Sequence, residues 1–381
     1  MNVDEAEELN APTRTAVIIG GTGQIGVASA RRLATSGFSV MLLHRGAHPG
    51  SQNAHQGDPT LTELDVTVVR QDRDDTERLL EFARGADLVV DAVAYTPEHA
   101  DQLTRLAGEV GSLVVISTGS VYTDAHGRSL DTATGPHDFP DFAVPLHESD
   151  PIIEADVGDA AFQTYSPLKA AMERRLLATP DLPVSILRPG AIHGPFSEAL
   201  REWYFIKRVL DGRHEAVLSY DGGSQFSPIA TANLAELIAL CADKPGRRVL
   251  NAADDETPTV AEIGRTIFAA MNHDAEIVTF AGPPEGTLGQ TPWSLPRPLL
   301  LSMDAARAEL GYAPVVSYAD AVAGDIRWIT AAVESAAHNL EQDWQQLFPV
   351  LAERYGAANW FDYEGEDAWL KTHSAGRSTP S

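Results

Sequence analysis

The chain of 381 residues contains one cysteine, Cys241. A single cysteine excludes an intrachain disulfide. The absence of disulfides is typical of proteins in a reducing compartment, so we expect a cytoplasmic protein. Within residues 233–243, Leu234, Leu237 and Cys241 share one helical face. We therefore predict that Cys241 packs in the core and is not a reactive thiol.

Basic residues and long apolar runs are also scarce. Lys and Arg number 28 against 54 Asp and Glu, which gives a formal net charge of -26. Such a surface repels phosphate backbones and argues against a nucleic-acid partner. The acidic N-terminus lacks the apolar core of a signal peptide. The sequence also contains no run of about 18 apolar residues, so we expect no membrane span.

What the chain does contain is a regular alternation of short apolar strands and amphipathic helices from Thr15 onward. Continuous apolar strands separated by helices are typical of an α/β fold with a doubly wound parallel sheet of the Rossmann type. The predicted strands are 16–19, 39–43, 65–70, 87–92, 113–117 and 184–187, and the predicted helices are 24–35, 76–83, 98–108 and 165–177.

The length predicts more than one domain, at roughly 100–200 residues per domain. Residues 124–160 lack periodicity and form a candidate lid or mobile loop. The predicted organisation is a disordered leader (1–13), a dinucleotide-binding Rossmann domain (14–190, with 228–255 returning to it), a smaller C-terminal substrate-binding domain (191–227 and 256–334) and a helical or docking tail (335–381).

A glycine-rich segment joins the first strand to the first helix. Residues 20–26 read GGTGQIG, a Gly-x-x-Gly-x-x-Gly spacing. Glycines here permit a tight turn and close approach of a pyrophosphate, and the helix N-terminus offers free N–H groups. The strand–loop–helix context favours dinucleotide binding over a plain turn. The candidate cofactor contacts in this loop are Gly20, Gly23, Gln24, Ile25 and Gly26.

The end of the second strand indicates which dinucleotide binds. NAD sites place an acid there, but this chain has Arg45, which can pair with a 2′-phosphate. We therefore expect NADP, while an arginine stacked on the adenine would leave NAD possible. Asp72 is a candidate acceptor for the adenine amino group, or an ordinary turn aspartate. Ala92 and Pro189, at the ends of later strands, complete the cofactor candidates.

A tyrosine and a lysine form the candidate acid–base pair. Tyr165 and Lys169 are four residues apart and share one face of a predicted helix. A phenol has a pKa near 10, so it exchanges protons at neutral pH only when a nearby cation stabilises the phenolate. Lys169 can supply that charge and also bind the nicotinamide ribose. The alternative is an incidental exposed pair.

Hydroxyl groups follow the fifth predicted strand, at the edge where ligands of such sheets bind. Thr118 or Ser117 is placed to donate to a substrate carbonyl, unless these are ordinary hydroxyls at a strand end.

Together these features resemble the extended short-chain dehydrogenase/reductase family, also called the NAD-dependent epimerase/dehydratase family, over about residues 14–330. The resemblance implies hydride transfer at a carbonyl or carbinol carbon, with Tyr165 moving the proton, Lys169 tuning Tyr165 and Thr118 binding the reacting oxygen. Besides the glycine loop and the Tyr165/Lys169 pair, the matching segments are 117–122 (STGSVY), 187–195 (LRPGAIHGP), 251–254 (NAAD) and 309–312 (ELGY).

The departures from the family pattern concern the substrate. Sugar-nucleotide members usually carry Asn at the position of Ala191 and Arg at that of Phe226, and both grip the diphosphate. Dehydrating members have Thr-Asp-Glu where this chain has Thr-Gly-Ser at residues 118–120. These differences predict a non-nucleotide small substrate beneath the 124–160 segment. Ser117, His193 and Phe226 are the substrate-binding candidates, with a structural role as the alternative for His193.

Other classes of function are less well supported. The twelve histidines show no metal-ligand spacing, so no metal is expected. A sugar-nucleotide epimerase or dehydratase, a non-catalytic NADP sensor and an RNA-binding relative are the rival interpretations. An intact Tyr165/Lys169 pair argues against the sensor, and the net charge argues against RNA. Substrate, reaction direction and subunit number stay open, with a homodimer among the options.

Overall fold

The computed structural model describes residues 13–46, 61, 63–64, 66–154, 165–335, 340–355 and 359–373. Residues 1–12 of the predicted leader and residues 155–160 of the predicted lid lie outside the described residues. None of the helices in the described part of the chain has the length and apolarity that a membrane span needs.

A seven-stranded, wholly parallel sheet forms the centre of the molecule, in the order β10-β6-β5-β4-β1-β2-β3. This doubly wound order confirms the predicted fold class. The strands are β1 (Thr15–Ile19), β2 (Ser39–His44), β3 (Thr67–Arg70), β4 (Leu88–Asp91), β5 (Ser112–Ile116), β6 (Val184–Pro189), β7 (Ala191–His193), β8 (Glu215–Leu218), β9 (Pro228–Ala230), β10 (Arg248–Ala252) and β11 (Glu276–Thr279). The remaining four strands pair as two small parallel sheets, β8 with β11 and β7 with β9.

The helices differ from the predicted ones mainly at their ends. The first begins at Gln24 and ends at Thr35, as the spacing predicts, whereas the third begins at Pro97 and is shorter than predicted. The helices are α1 (Gln24–Thr35), α2 (Thr76–Ala83), α3 (Pro97–Thr104), α4 (Tyr165–Leu177), α5 (Trp203–Leu210), α6 (Thr231–Asp243), α7 (Val260–Ala270), α8 (Asp304–Leu310), α9 (Tyr318–Ser335), α10 (Leu340–Leu347), α11 (Pro349–Tyr355) and α12 (Tyr363–His373).

Both faces of the large sheet are covered, which explains why its strands are apolar at successive positions. In β1, Ile18 belongs to the core shared with α1 and α6, and its neighbours Val17 and Ile19 belong to the core shared with α2, α3 and α4. Cys241 lies in the first of these cores and is fully buried, as predicted. Burial raises the pKa of its thiol to about 11, which disfavours the reactive thiolate.

A separate core joins the C-terminal part of the chain. It is built from α5, α7 and α9, and the tail helices pack on it through Trp344, Leu351 and Trp360. The described part of the tail therefore packs on this core. The long segment between Val121 and Glu154 has no helix or long strand. Two backbone hydrogen bonds join its ends: the Thr123 N–H donates to the Pro151 carbonyl, and the Ile153 N–H donates to the Val121 carbonyl.

Candidate active site

The glycine loop has the backbone geometry that a pyrophosphate site requires. Gly20 has φ +81, a conformation that side chains rarely adopt. A Cβ on Gly21 would lie 2.7 Å from Leu42, and one on Gly26 would lie 2.4 Å from the Gly21 carbonyl oxygen. A Cβ on Gly23, in contrast, would meet only the Gly20 oxygen at 3.8 Å. Gly23 thus faces open space where a phosphate can approach.

The N-terminus of α1 is open to an anion. Gly23 is the N-cap residue and no side chain caps the helix, so its first N–H groups stay available to a ligand. Val93 lies next to the loop, where a Cβ on Gly20 would be 2.5 Å from its Cγ1, and it is 45% exposed. An exposed apolar side chain beside such a loop is a surface that a bound dinucleotide would cover.

Two arginines lie together at the carboxyl ends of β2 and β3. Arg45 follows His44, which is in register with Arg70, and both arginines are exposed. Gly46 packs against the Arg70 guanidinium, since a Cβ there would lie 3.2 Å from its Nε. Asp72 is exposed nearby and accepts a hydrogen bond from the Asp74 N–H at 3.1 Å, which is the geometry of a turn aspartate.

Lys169 is buried at the carboxyl edge of the sheet. Its ammonium donates to the carbonyl oxygens of Ala94 at 2.6 Å and Ile116 at 2.8 Å, which follow β4 and end β5. These bonds place the charge between two strand ends, and they use two of its three N–H donors. Burial lowers the pKa of Lys169 to about 8, although Asp91 and Glu173 oppose that shift.

Tyr165 is the first residue of α4, one turn before Lys169. Its ring centroid is 5.7 Å from the Lys169 ammonium, and the side chain is 43% exposed. The ring also stacks on Tyr95, with centroids 5.5 Å apart. The structure therefore brings together the phenol and the ammonium that the sequence predicts as a pair.

A chain of hydroxyl groups lies on the same side of the sheet. The Thr118 and Ser120 hydroxyls are 2.9 Å apart, and the Ser166 hydroxyl, next to Tyr165, donates to Ser120 at 2.9 Å. Thr118 is half-buried, and its hydroxyl also accepts a hydrogen bond from the Ser120 N–H at 3.1 Å. Sequence reasoning missed Ser120 and Ser166 because isolated serines carry no spacing signal.

Ser117 faces the other way. β5 ends at Ile116, and the Ser117 hydroxyl donates to Glu173, which forms a buried ion pair with Arg188 at 2.6 Å. Ser117 is only 2% exposed. The structure therefore favours a packing role for Ser117 over the predicted substrate contact.

His193 is buried as well. It is 2% exposed, and its two ring nitrogens lie 2.8 Å from Asp325 and 3.4 Å from Asp254. Burial opposes the imidazolium, but hydrogen bonds to Asp254 and Asp325 raise the pKa of His193 to about 10. A histidine enclosed by carboxylates has a structural role, so the structural alternative replaces the substrate contact here.

The other predicted residues are apolar. Phe226 is half-buried and packs against both large cores. The Ala92 N–H donates to the Ile19 carbonyl at 3.0 Å, which ties the end of β4 to β1, and Pro189 is buried at the end of β6. None of these three carries a charge, so they can only shape the site.

One acid near the site was not predicted from the sequence. Asp131 accepts a hydrogen bond from the Ser166 N–H at 2.7 Å, at the start of α4. Burial raises the pKa of Tyr95, and the negative charge of Asp131 raises it further. Asp131 belongs to the irregular segment that follows Val121, where no periodicity marks individual residues.

Comparison with known proteins supports this description of the fold. Residues 12–108 match the model of the NmrA-like family, and a search of curated proteins finds no match. Among solved structures, dTDP-glucose 4,6-dehydratase from Bacillus anthracis in complex with NAD is 18% identical, with a TM-score of 0.62, covering 84% of this chain and 98% of that one.

Two epimerases give similar values. UDP-glucose 4-epimerase from Thermotoga maritima, solved with UDP-glucose, is 18% identical with a TM-score of 0.62, covering 84% of this chain and 99% of that one. UDP-N-acetylglucosamine 4-epimerase from Methanobrevibacter ruminantium is 17% identical with a TM-score of 0.62 and the same coverage. The chain therefore has the Rossmann-type fold with a C-terminal domain that its resemblance to the extended short-chain dehydrogenase/reductase family implies.

Proposed function

We propose that this chain is an NAD(P)-dependent oxidoreductase or epimerase that uses Tyr165 as its general acid–base at a carbonyl or carbinol carbon. The observation that carries the proposal is the position of Lys169. A buried ammonium is costly, and this one is held by two carbonyl oxygens beside an exposed phenol. Such an arrangement favours proton transfer by the phenol over a purely structural pair.

The proposed reaction assigns one task to each side chain. Thr118 binds the substrate oxygen, and Tyr165 gives a proton to it or takes one from it. Lys169 stabilises the phenolate with its charge, and its third N–H donor binds the nicotinamide ribose. A bound nicotinamide supplies or accepts the hydride. The hydroxyls of Ser120 and Ser166 orient Thr118 through the hydrogen bonds described above.

For the cofactor we propose NADP. Two exposed arginines, Arg45 and Arg70, lie at adjacent strand ends where an NAD site would have an acid. Guanidinium groups form charge-assisted, bidentate hydrogen bonds with phosphate. The structures compared above were solved with NAD or with nucleotide sugars, which makes NAD the alternative to be tested.

For the substrate we propose a small carbonyl or hydroxyl compound without a nucleotide. Ala191 and Phe226 offer neither a charge nor a side-chain hydrogen bond to a diphosphate. A diphosphate bound here would therefore lack the hydrogen bond and the ion pair that Asn and Arg give it in sugar-nucleotide members of the family. A sugar nucleotide is the alternative, favoured by the fold shared with enzymes that bind one.

The test is hydride exchange with a panel of aldehydes, ketones and alcohols, monitored by NADPH absorbance. We expect wild-type turnover on at least one compound and a loss of at least a hundredfold in kcat for Tyr165→Phe, within the range of general acid–base catalysis. Tyr355→Phe, in α11, is the matched control. If Tyr165→Phe keeps full activity, the assignment of Tyr165 is wrong.

Two further outcomes separate the rival functions. Cofactor binding without turnover on a broad panel favours a non-catalytic NADP sensor. Tight binding of a UDP- or dTDP-sugar in a calorimetric screen favours the sugar-nucleotide reaction and removes the small-substrate proposal.

A further inference from the structure

Four buried titratable residues from separate elements meet where the large sheet joins the C-terminal core. His193 ends β7, Asp254 follows β10, Glu202 precedes α5 and Asp325 lies in α9. Each is at most 5% exposed. Ligand atoms of His193, Glu202 and Asp325 all lie within 4.8 Å of one another.

The cluster contains more negative than positive charge. Three carboxylates surround one imidazole, and in the described part of the chain neither lysine nor arginine forms an ion pair with Glu202, Asp254 or Asp325. Arg201, the nearest arginine in sequence, directs its guanidinium to the Ile192 carbonyl. Buried carboxylates in such excess need a proton or a cation among them.

Hydrogen bonding does not satisfy all of these groups. Asp325 Oδ1 is buried and has no hydrogen-bond partner among the described residues, and the same is true of the hydroxyl of Tyr318. Tyr318 packs on His193, with ring centroids 5.1 Å apart. A buried acceptor without a donor is expensive, and here it belongs to one of the clustered carboxylates.

Asp254 differs from Asp325 because both of its carboxylate oxygens accept hydrogen bonds. It accepts from the Ala230 N–H at 3.0 Å, from the Asn233 amide at 2.7 Å and faces His193 Nε2 at 3.4 Å. A carboxylate that accepts from one ring nitrogen fixes the tautomer, so that the other nitrogen presents its lone pair. Nδ1 lies 2.8 Å from Asp325, to which Nδ1–H donates while no ion is bound; an ion at Nδ1 would displace that proton, and Nε2–H would then donate to Asp254.

We propose that His193 Nδ1, Glu202 and Asp325 bind one divalent transition-metal ion of the zinc type, with Asp254 orienting the imidazole. One nitrogen and two carboxylates form a common donor set for such an ion, and a water completes the coordination. Tetrahedral bonds of about 2.0–2.2 Å place ligand atoms roughly 3.5 Å apart, so Nδ1 and the Asp325 carboxylate, now 2.8 Å apart, must separate slightly while the most distant ligand atoms approach each other. The ion would join β7 of the sheet region to α5 and α9 of the C-terminal core.

This site departs from the expectation of no metal. The ligands are residues 193, 202 and 325, and no spacing in the sequence connects them. Since all are buried, the ion is acquired as the chain folds, and its binding energy adds to the stability of the native state.

The experiment compares refolding with and without metal. The full chain is unfolded in guanidinium with EDTA, desalted and refolded with Zn²⁺ or with chelator, and then measured for bound metal and thermal unfolding. We expect one equivalent of Zn²⁺ and a higher Tm in the metal-loaded protein. Glu202→Gln and Asp325→Asn keep the shape of the side chains and should lose stoichiometric binding. Glu334→Gln, an exposed acid on α9, is the matched control.

A further variant separates a ligand from its orienting partner. Asp254→Asn should still bind Zn²⁺, but about 10–100-fold more weakly, as observed when such outer carboxylates are lost. Co²⁺ added during refolding should give visible d–d absorption that Glu202→Gln lacks.

Two results would overturn the proposal. Wild-type protein that refolds to the same Tm in chelator and binds no Zn²⁺ contains a shared proton instead of an ion. Equal Zn²⁺ uptake by wild type and both ligand variants places the metal elsewhere. The readouts do not involve hydride transfer, so they are independent of the proposed activity.

Discussion

The rings of Tyr95 and Tyr165 stack with an interplanar angle of 30°, and this contact links the segment after β4 to the first residue of α4. Because Tyr165 is partly exposed, a ring on one side restricts its orientation. Aromatic pairs contribute about 0.5–1.5 kcal/mol beyond the area that they bury. We therefore predict that Tyr95→Leu lowers kcat by roughly 2–10-fold, since each 1.36 kcal/mol is tenfold in rate.

Tyr95→Phe keeps the ring and is the matched control, with kcat expected within about twofold of wild type. The measurement is steady-state kinetics with the compound identified in the carbonyl panel. A loss in Tyr95→Phe equal to that in Tyr95→Leu would show that the Tyr95 hydroxyl, and not the stack, matters.

Lys169 gives a prediction about pH. Burial lowers the pKa of this lysine from 10.5 to about 8. Between these values the unfolded chain binds a proton that the native protein has lost, so the lysine makes stability increase with pH in this window. We expect wild type to gain about 2 kcal/mol relative to Lys169→Met between about pH 7.5 and 10.

Urea unfolding of both proteins at the two pH values measures this difference, and other titrations cancel in the comparison. Lys371→Met, at an exposed position, is the control. A constant difference between wild type and Lys169→Met would mean that Lys169 is solvated in the native state.

The two arginines at the ends of β2 and β3 predict cofactor preference. Removing one charge-assisted bond to a phosphate costs about 1.5–3 kcal/mol. Arg45→Ala should raise the Kd for NADPH by roughly 10–100-fold and leave the Kd for NADH nearly unchanged, and Arg70→Ala should act in the same direction. Fluorescence titration provides both constants, with Arg78→Ala as an exposed control. Equal losses for both cofactors would place these arginines on the adenine.

Substitutions at Gly23 and Gly21 distinguish an effect on dinucleotide binding from an effect on stability. A Cβ on Gly23 enters open space, whereas one on Gly21 would lie 2.7 Å from Leu42. We predict that Gly23→Ala unfolds close to the wild-type Tm but binds dinucleotide at least tenfold more weakly, because the methyl group takes the place of a phosphate. Gly21→Ala should lower the Tm through overpacking. Thermal unfolding and dinucleotide titration of both variants test this prediction. Unaltered dinucleotide affinity in Gly23→Ala would show that the phosphates bind elsewhere.

The parts of the site that the sequence predicted are those carried by local patterns. The glycine spacing defines a turn and the start of α1, and a four-residue separation on a helix places Tyr165 beside Lys169. The residue pattern alone leaves Ser117 and Thr118 as alternatives, and only the family resemblance favours Thr118. The choice depends on β5 ending at Ile116, and strand ends are set by pairing with neighbours and not by the residues themselves.

Contacts between distant segments could not be predicted at all. His193 meets Asp325 across 132 residues, and the acid that faces α4, Asp131, comes from a segment without periodicity. The tail shows the same limit. Its aromatic residues are visible in the sequence, but their partners lie far earlier in the chain: Trp360 packs on Tyr204, and Phe348 packs on Trp203. Tertiary packing determines these positions, and one sequence alone does not record it.

The tail yields a last prediction, because it supplies the only carboxylate that pairs with Arg208 among the described residues. Arg208 is fully buried, and its guanidinium donates to Glu366 at 2.5 Å and to the Trp360 carbonyl at 2.8 Å. Removing one partner of a buried pair leaves an uncompensated charge, which costs about 3–5 kcal/mol. Glu366→Ala should therefore lower the free energy of unfolding by about that amount. Asp367→Ala, which removes a half-exposed partner of Arg213, should cost less than about 1 kcal/mol. Urea unfolding measures both, and similar small losses would mean that water reaches Arg208 when Glu366 is removed.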